Sequence, residues 1–385
     1  MKVLIVNRYM SVYGGAETVI KELSAYLKTM GITNRILTLN VSDETSKICQ
    51  GLDIVTPKEP FAYAFRSQGF WQSLGIIKEI RALRRLVEIH SSGFDIVNVH
   101  NFPASWVARG LTKPAVWMCN EVPDFYNNPK PYWALRLLRS LGLGLDRHIV
   151  NRDIGAICVA DEYNAQKVRQ RYNRESEVIP YGIEYDFFSQ NEGKEEAIQK
   201  YNLKDNFVLL QVGMLSPEKN QLQSIQALDL LREEIPHIRL VLAGRFQSPY
   251  DQMLKRYISE RNIKERVIFT GHINKLEVRN LYQACNIALF PVKSQGGWLA
   301  PFEALCAGRP IVVSSTMGAA SLISRQKLGL VCDDLVKAVK TIHNDYAAHI
   351  RQAASSAGWI KDNLTWELFA RRMLEVFKET LTKGV

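Results

Sequence analysis

Long apolar runs are missing from this sequence. None approaches the roughly 18–20 residues that a helix needs to span a bilayer. The chain opens with MKVLIVNRYM, in which only four consecutive apolar residues precede Asn7 and Arg8. That run is short for the core of a signal peptide, so we expect a protein that is neither exported nor integral to a membrane.

Paired cysteines are missing as well. No C-x-x-C motif occurs, and several of the cysteines fall inside apolar runs. Buried, reduced thiols of a cytoplasmic protein are therefore the expected state. The six cysteines are Cys49, Cys119, Cys158, Cys285, Cys306 and Cys332.

The common nucleotide-binding and metal-binding signatures are also absent. No G-x-G-x-x-G follows a strand pattern and no G-x-x-x-x-G-K-[ST] occurs, which disfavours dinucleotide enzymes and P-loop nucleotidases. No D-x-D occurs either, so we expect no metal-bridged diphosphate. We predict neither a metal site nor a cofactor.

Acidic residues are in the minority. Lys and Arg number 49 against 39 Asp and Glu, and the net charge of +10 favours an anionic partner. Such a partner could be nucleic acid, an anionic membrane surface or a phosphorylated substrate. No nucleic-acid-binding motif is present, so nucleic acid is not the expected partner.

Two segments of the first half, 61–90 and 132–153, combine aromatic and basic residues. Basic amphipathic patches with aromatics suit an anionic lipid surface. A helix with one buried face and one solvated basic face explains the same pattern. In the first segment the basic residues are Arg66, Lys78, Arg81, Arg84 and Arg85.

Short aliphatic and β-branched runs alternate with helical patterns along the chain, which predicts parallel α/β units. Most of the predicted strands are nearly continuous in apolar residues, as is typical of strands covered on both faces. They are 2–7, 35–40, 94–100, 115–120 and 155–160 in the first half, and 207–213, 238–244, 267–271, 287–292 and 311–315 in the second.

A chain of 385 residues is long for a single core. Turn formers and charges in residues 176–206 place a boundary near Tyr181-Gly182. We predict two Rossmann-like, doubly wound parallel-sheet domains, 1–180 and 181–364, with ligands at the carboxyl ends of the strands in a cleft between them. Residues 365–385 are predicted to form a helix that packs back towards the first domain.

Glycines follow the first strand of each half, after a loop in the first half and directly in the second. Gly14 and Gly15 let the backbone approach a ligand, and the helix that follows them offers N–H groups to an anion. A plain strand-to-helix turn explains this pair equally well. In the second half, Gly213 precedes a loop that carries Lys219 to a helix start, where a lysine can neutralise a diphosphate. A solvated loop lysine is the alternative.

The stretch SQGGWLAPFEALCAGRP, residues 294–310, contains a glutamate inside an apolar helix pattern. Phe302, Ala304 and Leu305 around Glu303 are predicted to be buried. An acid in such a setting is usually there for a partner. The Glu303 carboxylate could accept both hydroxyls of a ribose.

In their order along the chain, these elements resemble family 4 of the retaining glycosyltransferases, which has the GT-B architecture of two Rossmann-like domains. The likeness covers nearly the full length. It rests on GGAETVIKELSAYL, FDIVNVHNFP, CVADEYNAQKV, VIPYGIEYDFF, VGMLSPEKN, LVLAGR, FTGHI, the stretch 294–310 and the terminal Trp366 helix.

The resemblance implies that a nucleotide-diphosphate sugar binds mainly to the second domain. Glu303 matches the second acid of the Glu-x7-Glu motif, which holds the ribose. Lys219 matches the basic residue on the diphosphate, and the backbone at Ile273 would lie against the base. Gly15 would lie near the phosphate, and His100 where acceptor and sugar approach. The remaining implied donor-binding residues are Gly14, Gly213, Met214, Arg245, Gln295, Gly296, Gly297, Trp298, Leu299 and Ala300.

Three positions depart from the family pattern. Gln295 replaces the first acid, Met214 replaces the arginine of G-R-x-x-x-x-x-K, and Asn120 replaces a histidine that often ends its strand. Glutamine still hydrogen-bonds sugar hydroxyls, but methionine cannot replace a guanidinium on phosphate. The candidates for the missing cation are Arg245, Lys293 and Arg309.

The resemblance also implies a mechanism. Cations and helix N-termini stabilise the departing diphosphate, whose oxygen takes the proton of the acceptor, and the anomeric configuration is retained. Lys219, Gln295, His100 and Asn120 are the predicted catalytic residues.

The leading hypothesis is a retaining, metal-independent hexosyltransferase. It would move a sugar from a nucleotide-diphosphate sugar to a glycan or lipid-linked oligosaccharide in surface polysaccharide or lipopolysaccharide synthesis. Its predicted location is cytoplasmic, with the inner face of the plasma membrane as a peripheral site. One alternative is a degenerate GT-B protein that binds nucleotide-sugar or glycan without turnover. Another, an epimerase, would need more acid–base residues than the sequence offers.

Overall fold

The computed structural model describes residues 1–10, 14–59, 61, 70–123, 133–246, 248–294 and 298–383. Within two long helices that begin at residues 70 and 133, side chains are described from residues 75 and 140 onwards. The chain divides into two compact units. The first comprises Met1–Tyr181 and Trp366–Val385, and the second comprises Gly182–Thr365.

The first unit is built on a seven-stranded sheet with the strand order β3-β2-β1-β4-β5-β6-β7, in which every pairing is parallel. The strands are β1 (Lys2–Val6), β2 (Thr33–Leu37), β3 (Ile54–Val55), β4 (Ile96–His100), β5 (Ala115–Met118), β6 (Ala156–Val159) and β7 (Glu177–Val178). The α-helices before residue 182 are α1 (Gly15–Thr29), α2 (Asp43–Ile48), α3 (Phe70–His90), α4 (Trp133–Asp153) and α5 (Glu162–Tyr172).

The second unit holds a six-stranded parallel sheet with the order β10-β9-β8-β11-β12-β13. Its strands are β8 (Phe207–Val212), β9 (Ile238–Ala243), β10 (Val267–Gly271), β11 (Ile287–Phe290), β12 (Ile311–Val313) and β13 (Leu330–Val331). Its α-helices are α6 (Tyr185–Phe188), α7 (Lys194–Lys200), α8 (Gln221–Leu231), α9 (Tyr250–Glu260), α10 (Lys275–Ala284), α11 (Leu299–Cys306), α12 (Ala320–Arg325), α13 (Leu335–Asn344) and α14 (Tyr346–Asn363).

The last helix, α15 (Trp366–Lys383), belongs to the first unit and packs against α1 and β5. Its buried stripe includes Phe369, Met373 and Phe377, which are at most 1% exposed. The ring of Phe369 lies 5.7 Å from that of Tyr181. Burial of this stripe is what holds the end of the chain to the first unit.

All ten predicted strands are present, and the predicted α/β fold with two parallel sheets is confirmed. Central strands such as β1, in which residues 3–6 have no exposed surface, are apolar along their length because helices cover both faces. The sequence does not predict β3, β7 and β13. Each of these three strands has only two residues, too few for a periodic pattern, and each lies at the edge of its sheet.

Helices that could cross a bilayer are not found in the part of the chain that the structure describes. All six cysteines are free thiols, and all are buried except Cys332, which is partly exposed.

In each sheet the strand order reverses next to the first strand of the unit, between β1 and β4 and between β8 and β11. Doubly wound sheets bind ligands at the carboxyl ends of the strands beside such a switch point. The second sheet brings two loops very close there. A Cβ atom at Gly244, after β9, would lie 2.0 Å from the carbonyl oxygen of Gly213, after β8. Only glycine fits at position 244.

We therefore expect Gly244→Ala to destabilise the second unit by about 1–3 kcal/mol, since the added methyl group meets rigid backbone. Gly358→Ala is the matched control, because a Cβ at this exposed position inside α14 has no atom within 4 Å. It should stabilise the same unit by about 0.5–1 kcal/mol. Urea unfolding of both variants measures the difference, and equal stabilities would contradict the steric argument.

Candidate functional site

The loops that follow β8, β9 and β11 interlock at the carboxyl edge of the second sheet. The N–H of Leu215 donates to the carbonyl of Arg245 at 2.9 Å, and the N–H of Lys293 donates to the carbonyl of Glu218 at 2.8 Å. These bonds join three loops whose residues the sequence assigns to one ligand. The structure therefore brings Met214, Lys219, Arg245 and Lys293 to one edge of the second unit.

Lys219 stands at the end of the loop that leads into α8. Its N–H donates to the carbonyl of Ser216 at 3.1 Å, and its own carbonyl accepts from Nε2 of Gln211 at 2.7 Å. Gln211 is in turn held by the hydroxyl of Ser224, 2.7 Å away. The lysine backbone is thus fixed by a buried side chain of β8, while its own side chain is partly exposed.

Met214 occupies the place of the missing arginine, and its side chain is 42% exposed. Two cations lie on neighbouring loops. Arg245 is exposed, with Nη2 3.3 Å from Nε2 of His272, and Lys293 is exposed after β11. Both lie on loops that hydrogen-bond to the loop of Met214 and Lys219, so both remain candidates for the substitute cation.

The prediction that Arg309 could supply the missing cation is wrong, because Arg309 lies at the other edge of the sheet. It precedes β12 (Ile311–Val313) and so lies at the amino edge of the same sheet. Its guanidinium donates to the carbonyl of Ala307 and to Gln283, at 3.2 and 3.5 Å. Parallel strands place their two ends at opposite edges, so Arg309 is on the other side of the sheet from Lys219.

Glu303 lies in α11 with its side chain partly buried among apolar residues, and Phe302, Ala304 and Leu305 have no exposed surface. Burial raises the pKa of Glu303 to about 7, with the negative charge of Glu184 acting in the same direction. The positive charge of Lys275 and a hydrogen bond from the phenol of Tyr282 act against this rise. The carboxyl group of Glu303 therefore titrates near pH 7, and its pKa depends on the charges of its neighbours.

The sequence analysis did not identify Glu184, Lys275 and Tyr282 as neighbours of Glu303. Lys275 forms an ion pair with Glu184 at the start of α6, and its ammonium lies 4.7 Å from the ring centre of Phe187. The hydroxyl of Tyr282, which has a single proton to share, also lies 3.2 Å from the carbonyl oxygen of Ala300. Lys275 and Tyr282 are seven residues apart on α10 and so share a face, a spacing from which the pair could have been found.

The other residues predicted to contact the donor differ in how far their side chains are exposed to solvent. Ile273, after β10, is partly exposed, as are Leu299 and Ala300 at the start of α11. Trp298 is 6% exposed and lies 4.5 Å from the ring centre of Phe302, so its indole belongs to the core. Gln295, Gly296 and Gly297 lie outside the described residues.

In the first unit, Gly14 and Gly15 are exposed at the start of α1. At this predicted anion site, the carboxyl group of Glu17 accepts hydrogen bonds from the backbone, which the sequence did not predict. Burial raises the pKa of Glu17 to about 7, against hydrogen bonds from the backbone N–H groups of Glu17 and Gly14. Part of this helix terminus is therefore already satisfied by the protein's own carboxyl group.

His100 ends β4 and has no exposed surface. Its Nε2 lies 2.7 Å from Oδ1 of Asn98, and burial lowers the pKa of His100 to about 3, so the ring is neutral. The structure thus places His100 inside the core of the first unit, where its side chain supports β4.

Asn120 lies beyond β5 and is partly exposed. Its Nδ2 donates to Oδ1 of Asn101 at 2.7 Å, and its Oδ1 accepts from the hydroxyl of Tyr181 at 2.5 Å. Asn101 donates in turn to Oδ1 of Asn7 at 3.2 Å. The sequence analysis singled out Asn120 and missed the others, although β1, β4 and β5 are each soon followed by an asparagine.

These two units define a class of protein: paired Rossmann-like domains, each with polar groups gathered at the carboxyl edge of a parallel sheet. Residues 193–358 match the family described as Glycosyl transferases group 1, and residues 13–187 match Glycosyltransferase Family 4. Together the two matches span most of the chain, which belongs to family 4 of the glycosyltransferases.

Among curated proteins, the chain is 26% identical over 242 residues to a GDP-mannose-dependent alpha-(1-6)-phosphatidylinositol monomannoside mannosyltransferase of Mycolicibacterium smegmatis. The match takes in 59% of this chain and 63% of that protein, less than two thirds of its length. A second relative is the alpha-monoglucosyldiacylglycerol synthase of Streptococcus pneumoniae, 26% identical over 85% of this chain and 74% of its own.

Among solved structures, Anabaena HepE in complex with UDP-glucose superposes with a TM-score of 0.77. The superposition covers 98% of this chain and all of HepE, at 16% sequence identity. It shows that the GT-B fold extends over nearly the whole chain.

The buried carboxyl of Glu303 leads to a pH-dependent prediction. Because its pKa is about 7 in the folded state and near 4.5 when unfolded, the folded protein binds more protons between these values. Stability should therefore fall as pH rises through this window. We expect Glu303→Gln to be about 1–3 kcal/mol more stable than wild type at pH 8 and nearly equal at pH 4.5.

Urea unfolding at the two pH values measures this difference. Glu367→Gln is the control, since Glu367 is an exposed glutamate whose pairing with Arg371 spans one helical turn. It should change stability by less than about 0.5 kcal/mol at either pH. A Glu303→Gln variant that is less stable than wild type at pH 8 would show that the ionised carboxylate is stabilising.

Proposed function

We propose that this chain is a retaining, metal-independent hexosyltransferase that uses a nucleotide-diphosphate sugar. The acceptor is a glycan or a lipid-linked oligosaccharide of a surface polysaccharide pathway. The HepE complex with UDP-glucose and the GDP-mannose dependence of the mycobacterial relative support a nucleoside diphosphate donor. They differ in the base, so both UDP-sugars and GDP-sugars belong in any test.

One observation carries the proposal. The carboxyl edge of the second sheet combines three cations, Lys219, Arg245 and Lys293, on loops that hydrogen-bond to one another. Such a set suits a diphosphate that becomes a leaving group, because fixed positive charge stabilises the oxygen that separates from the sugar. Glu303, in the helix after β11, would hold the ribose.

Lys219 is the residue whose loss we expect to matter most. Lys219→Met should raise the donor KM and lower donor hydrolysis about 10–100-fold, since a charge-assisted contact to phosphate is lost. Arg245→Ala and Lys293→Ala should each cost about 3–10-fold, as each replaces only part of the missing arginine. A panel of radiolabelled UDP-sugars and GDP-sugars, with and without glycan acceptors, supplies the assay.

Arg309→Ala is the matched control, an arginine of the same unit at the opposite edge of the sheet. Its donor affinity should equal that of wild type. If Lys219→Met is as active as Arg309→Ala, the carboxyl edge is not the donor site.

A second candidate function is a protein that binds nucleotide-sugar or glycan without turnover. The exposed side chain of Met214, at the position of the family arginine, favours it. The same panel separates the two, because slow hydrolysis of a donor reveals a competent site even without an acceptor. Tight binding of one donor with no hydrolysis or transfer would establish the binding protein.

A lipid-linked acceptor is held in a membrane, so the unit that binds it would contact the membrane surface. The two curated relatives described above are named for glycolipid substrates or products. Helices α3 and α4 both pack against the 3-10 helix Ala104–Ala108 and so lie on the same side of the first sheet. Among the described side chains of these two helices, the exposed basic and large apolar residues are Ile77, Lys78, Arg81, Arg85, Ile89, Leu141, Arg147 and Arg152, and one exposed acid, Glu88, lies among them.

We expect the double variant Arg81→Glu/Arg85→Glu to bind phosphatidylglycerol vesicles about 10–100-fold more weakly, since each basic residue near an anionic surface contributes about 1 kcal/mol. Vesicle sedimentation measures binding. Lys255→Glu/Arg256→Glu is the control, a pair of exposed charges in α9 of the second unit. If the two double variants bind the vesicles equally, the basic residues of α3 do not contact the membrane.

A further inference from the structure

One lysine of the second unit interacts with two carboxyl groups. Lys275 is the first residue of α10, and its ammonium group forms an ion pair with Glu184 at the start of α6. The carboxyl group of Glu303, in α11, is affected by both residues. The positive charge of Lys275 favours its ionised form, and the negative charge of Glu184 opposes it. Two acids on different helices therefore share a single cation.

Aromatic rings fix the position of this cation. The ammonium nitrogen of Lys275 lies 4.7 Å from the ring centre of Phe187 and 5.5 Å from that of Phe188. A cation within about 6 Å of a ring centre is attracted by the negative face of the ring. The side chain of Lys275 is 44% exposed and that of Glu184 28%, so the pair is partly shielded from solvent. Lys275 is thus held beside Glu184 by one ion pair and two rings.

A tyrosine gives Glu303 a hydrogen bond that it has to share. Burial raises the pKa of Tyr282 well above its ordinary value, so the phenol keeps its proton and acts as a donor. It donates to Glu303, but the same hydroxyl lies 3.2 Å from the carbonyl oxygen of Ala300. A single proton cannot satisfy both acceptors fully. The protein therefore compensates an ionised Glu303 only in part, in agreement with a pKa that burial raises to about 7.

The remaining elements packed against α11 present mainly apolar residues to it. Strands β11 and β12 contain only apolar residues, and Phe188 is the buried residue of α6. Arg279, one turn after Lys275 on α10, is held by hydrogen bonds to the segment that precedes α7. Within α11, burial raises the pKa of Cys306, so this thiol is neutral. The cation, the acid and the phenol described above are therefore the groups that act on the charge of Glu303. The residues that α14 buries are Ala353, Ser356, Ala357 and Ile360.

This group lies at the edge of the sheet that carries the candidate donor cations. Lys275 begins α10, which follows β10, and Glu303 is in the second turn of α11, which follows β11. Helices that follow parallel strands begin at the carboxyl edge of the sheet, where Lys219, Arg245 and Lys293 also lie. A carboxylate accepts hydrogen bonds from hydroxyl groups more strongly than a neutral carboxyl group does, because the bond is charge-assisted. The charge of Glu303 should therefore matter for a bound ribose.

We infer that Lys275 is a positioning residue for the nucleotide, which determines through its ion pair with Glu184 whether Glu303 meets the ribose hydroxyls as a carboxylate. The inference rests on the proposed function and adds to it a control of the ribose contact. Without Glu184, the attraction of Lys275 for Glu303 is unopposed, and the carboxylate persists to lower pH. Without Lys275, Glu303 faces the negative charge of Glu184 alone, and the carboxylate forms only at higher pH. Opposite effects of the two changes distinguish this role from that of a structural ion pair.

The test measures the ribose contact by itself. Calorimetry gives the Kd of UDP, of GDP and of the 2′,3′-dideoxy form of whichever binds more tightly, from about pH 5.5 to about pH 8.5. The terminal phosphate also titrates in this range, with a pKa of about 6, but it does so in both forms. The ratio of the dideoxy Kd to the ribonucleotide Kd therefore reports the ribose hydroxyls. For wild type this ratio should rise about 10-fold with pH, with a midpoint near pH 7.

Substitutions around Glu303 should move this midpoint in directions set by charge. Lys275→Met should raise it by about 0.5–1 pH unit, and Glu184→Gln should lower it by a similar amount. Lys275→Arg keeps the positive charge and should keep the midpoint near that of wild type. Tyr282→Phe should raise the midpoint, because Glu303 loses a hydrogen bond to its ionised form. Glu303→Gln should make the ratio independent of pH, since an amide does not titrate.

Lys361→Met is the matched control. Lys361 is an exposed lysine of α14 in the same unit, and its ammonium nitrogen lies 5.5 Å from the ring centre of Tyr185, which follows Glu184 in the chain. The variant removes the same charge from a contact with a ring of the same helix, α6. It should keep the midpoint and the affinities of wild type. Thermal unfolding of every variant checks that each one is folded.

The inference is overturned if Lys275→Met and Glu184→Gln move the midpoint in the same direction, or if both match Lys361→Met. It is also overturned if the wild-type ratio does not change with pH, since Glu303 then meets the ribose in one charge state only. Opposite shifts support it even if the protein hydrolyses no donor, in which case the proposed transfer reaction fails and the ribose contact remains. A protein that binds neither UDP nor GDP contradicts the proposed function itself, and the inference falls with it.

Discussion

Parallel pairing of the strands is the constraint on which both candidate sites depend. In each unit every strand runs the same way, so residues that follow different strands meet at one edge, although they are far apart in sequence. Met214, Arg245 and Lys293 are brought together for this reason, and so are Asn7, Asn101 and Asn120. The same rule removes Arg309, which precedes a strand instead of following one.

The fold could be predicted because its central strands are buried on both faces and therefore apolar throughout. The placement of Lys219 and Glu303 on a strand-to-helix loop and a helix followed from the same pattern. What could not be predicted was how far each side chain would be buried. His100 and Trp298 follow the family pattern, yet the first is neutral inside the core and the second packs on Phe302. Burial depends on contacts between distant elements, which a motif does not contain.

Polar partners were missed for a related reason. Tyr282 and Lys275 act on Glu303 because α10 and α11 pack side by side, and Tyr181 reaches Asn120 across a separation of 61 residues. Glu17 was overlooked because a helix N-terminus suggests vacant N–H groups until a carboxyl group of the same helix is seen to fold back on them. Each of these contacts is ordinary chemistry, but the partners are chosen by the fold.

The return of α15 to the first unit has a practical meaning for anyone who divides this chain. The second unit, Gly182–Thr365, is one uninterrupted stretch of sequence, whereas the first is made of two pieces with that stretch inserted between them. A fragment that stopped at Tyr181 would leave the apolar surface beneath Phe369, Met373 and Phe377 open to water. Recombinant dissection should therefore keep the beginning and the end of the chain together, for example by joining residue 181 to residue 366 through a short flexible peptide.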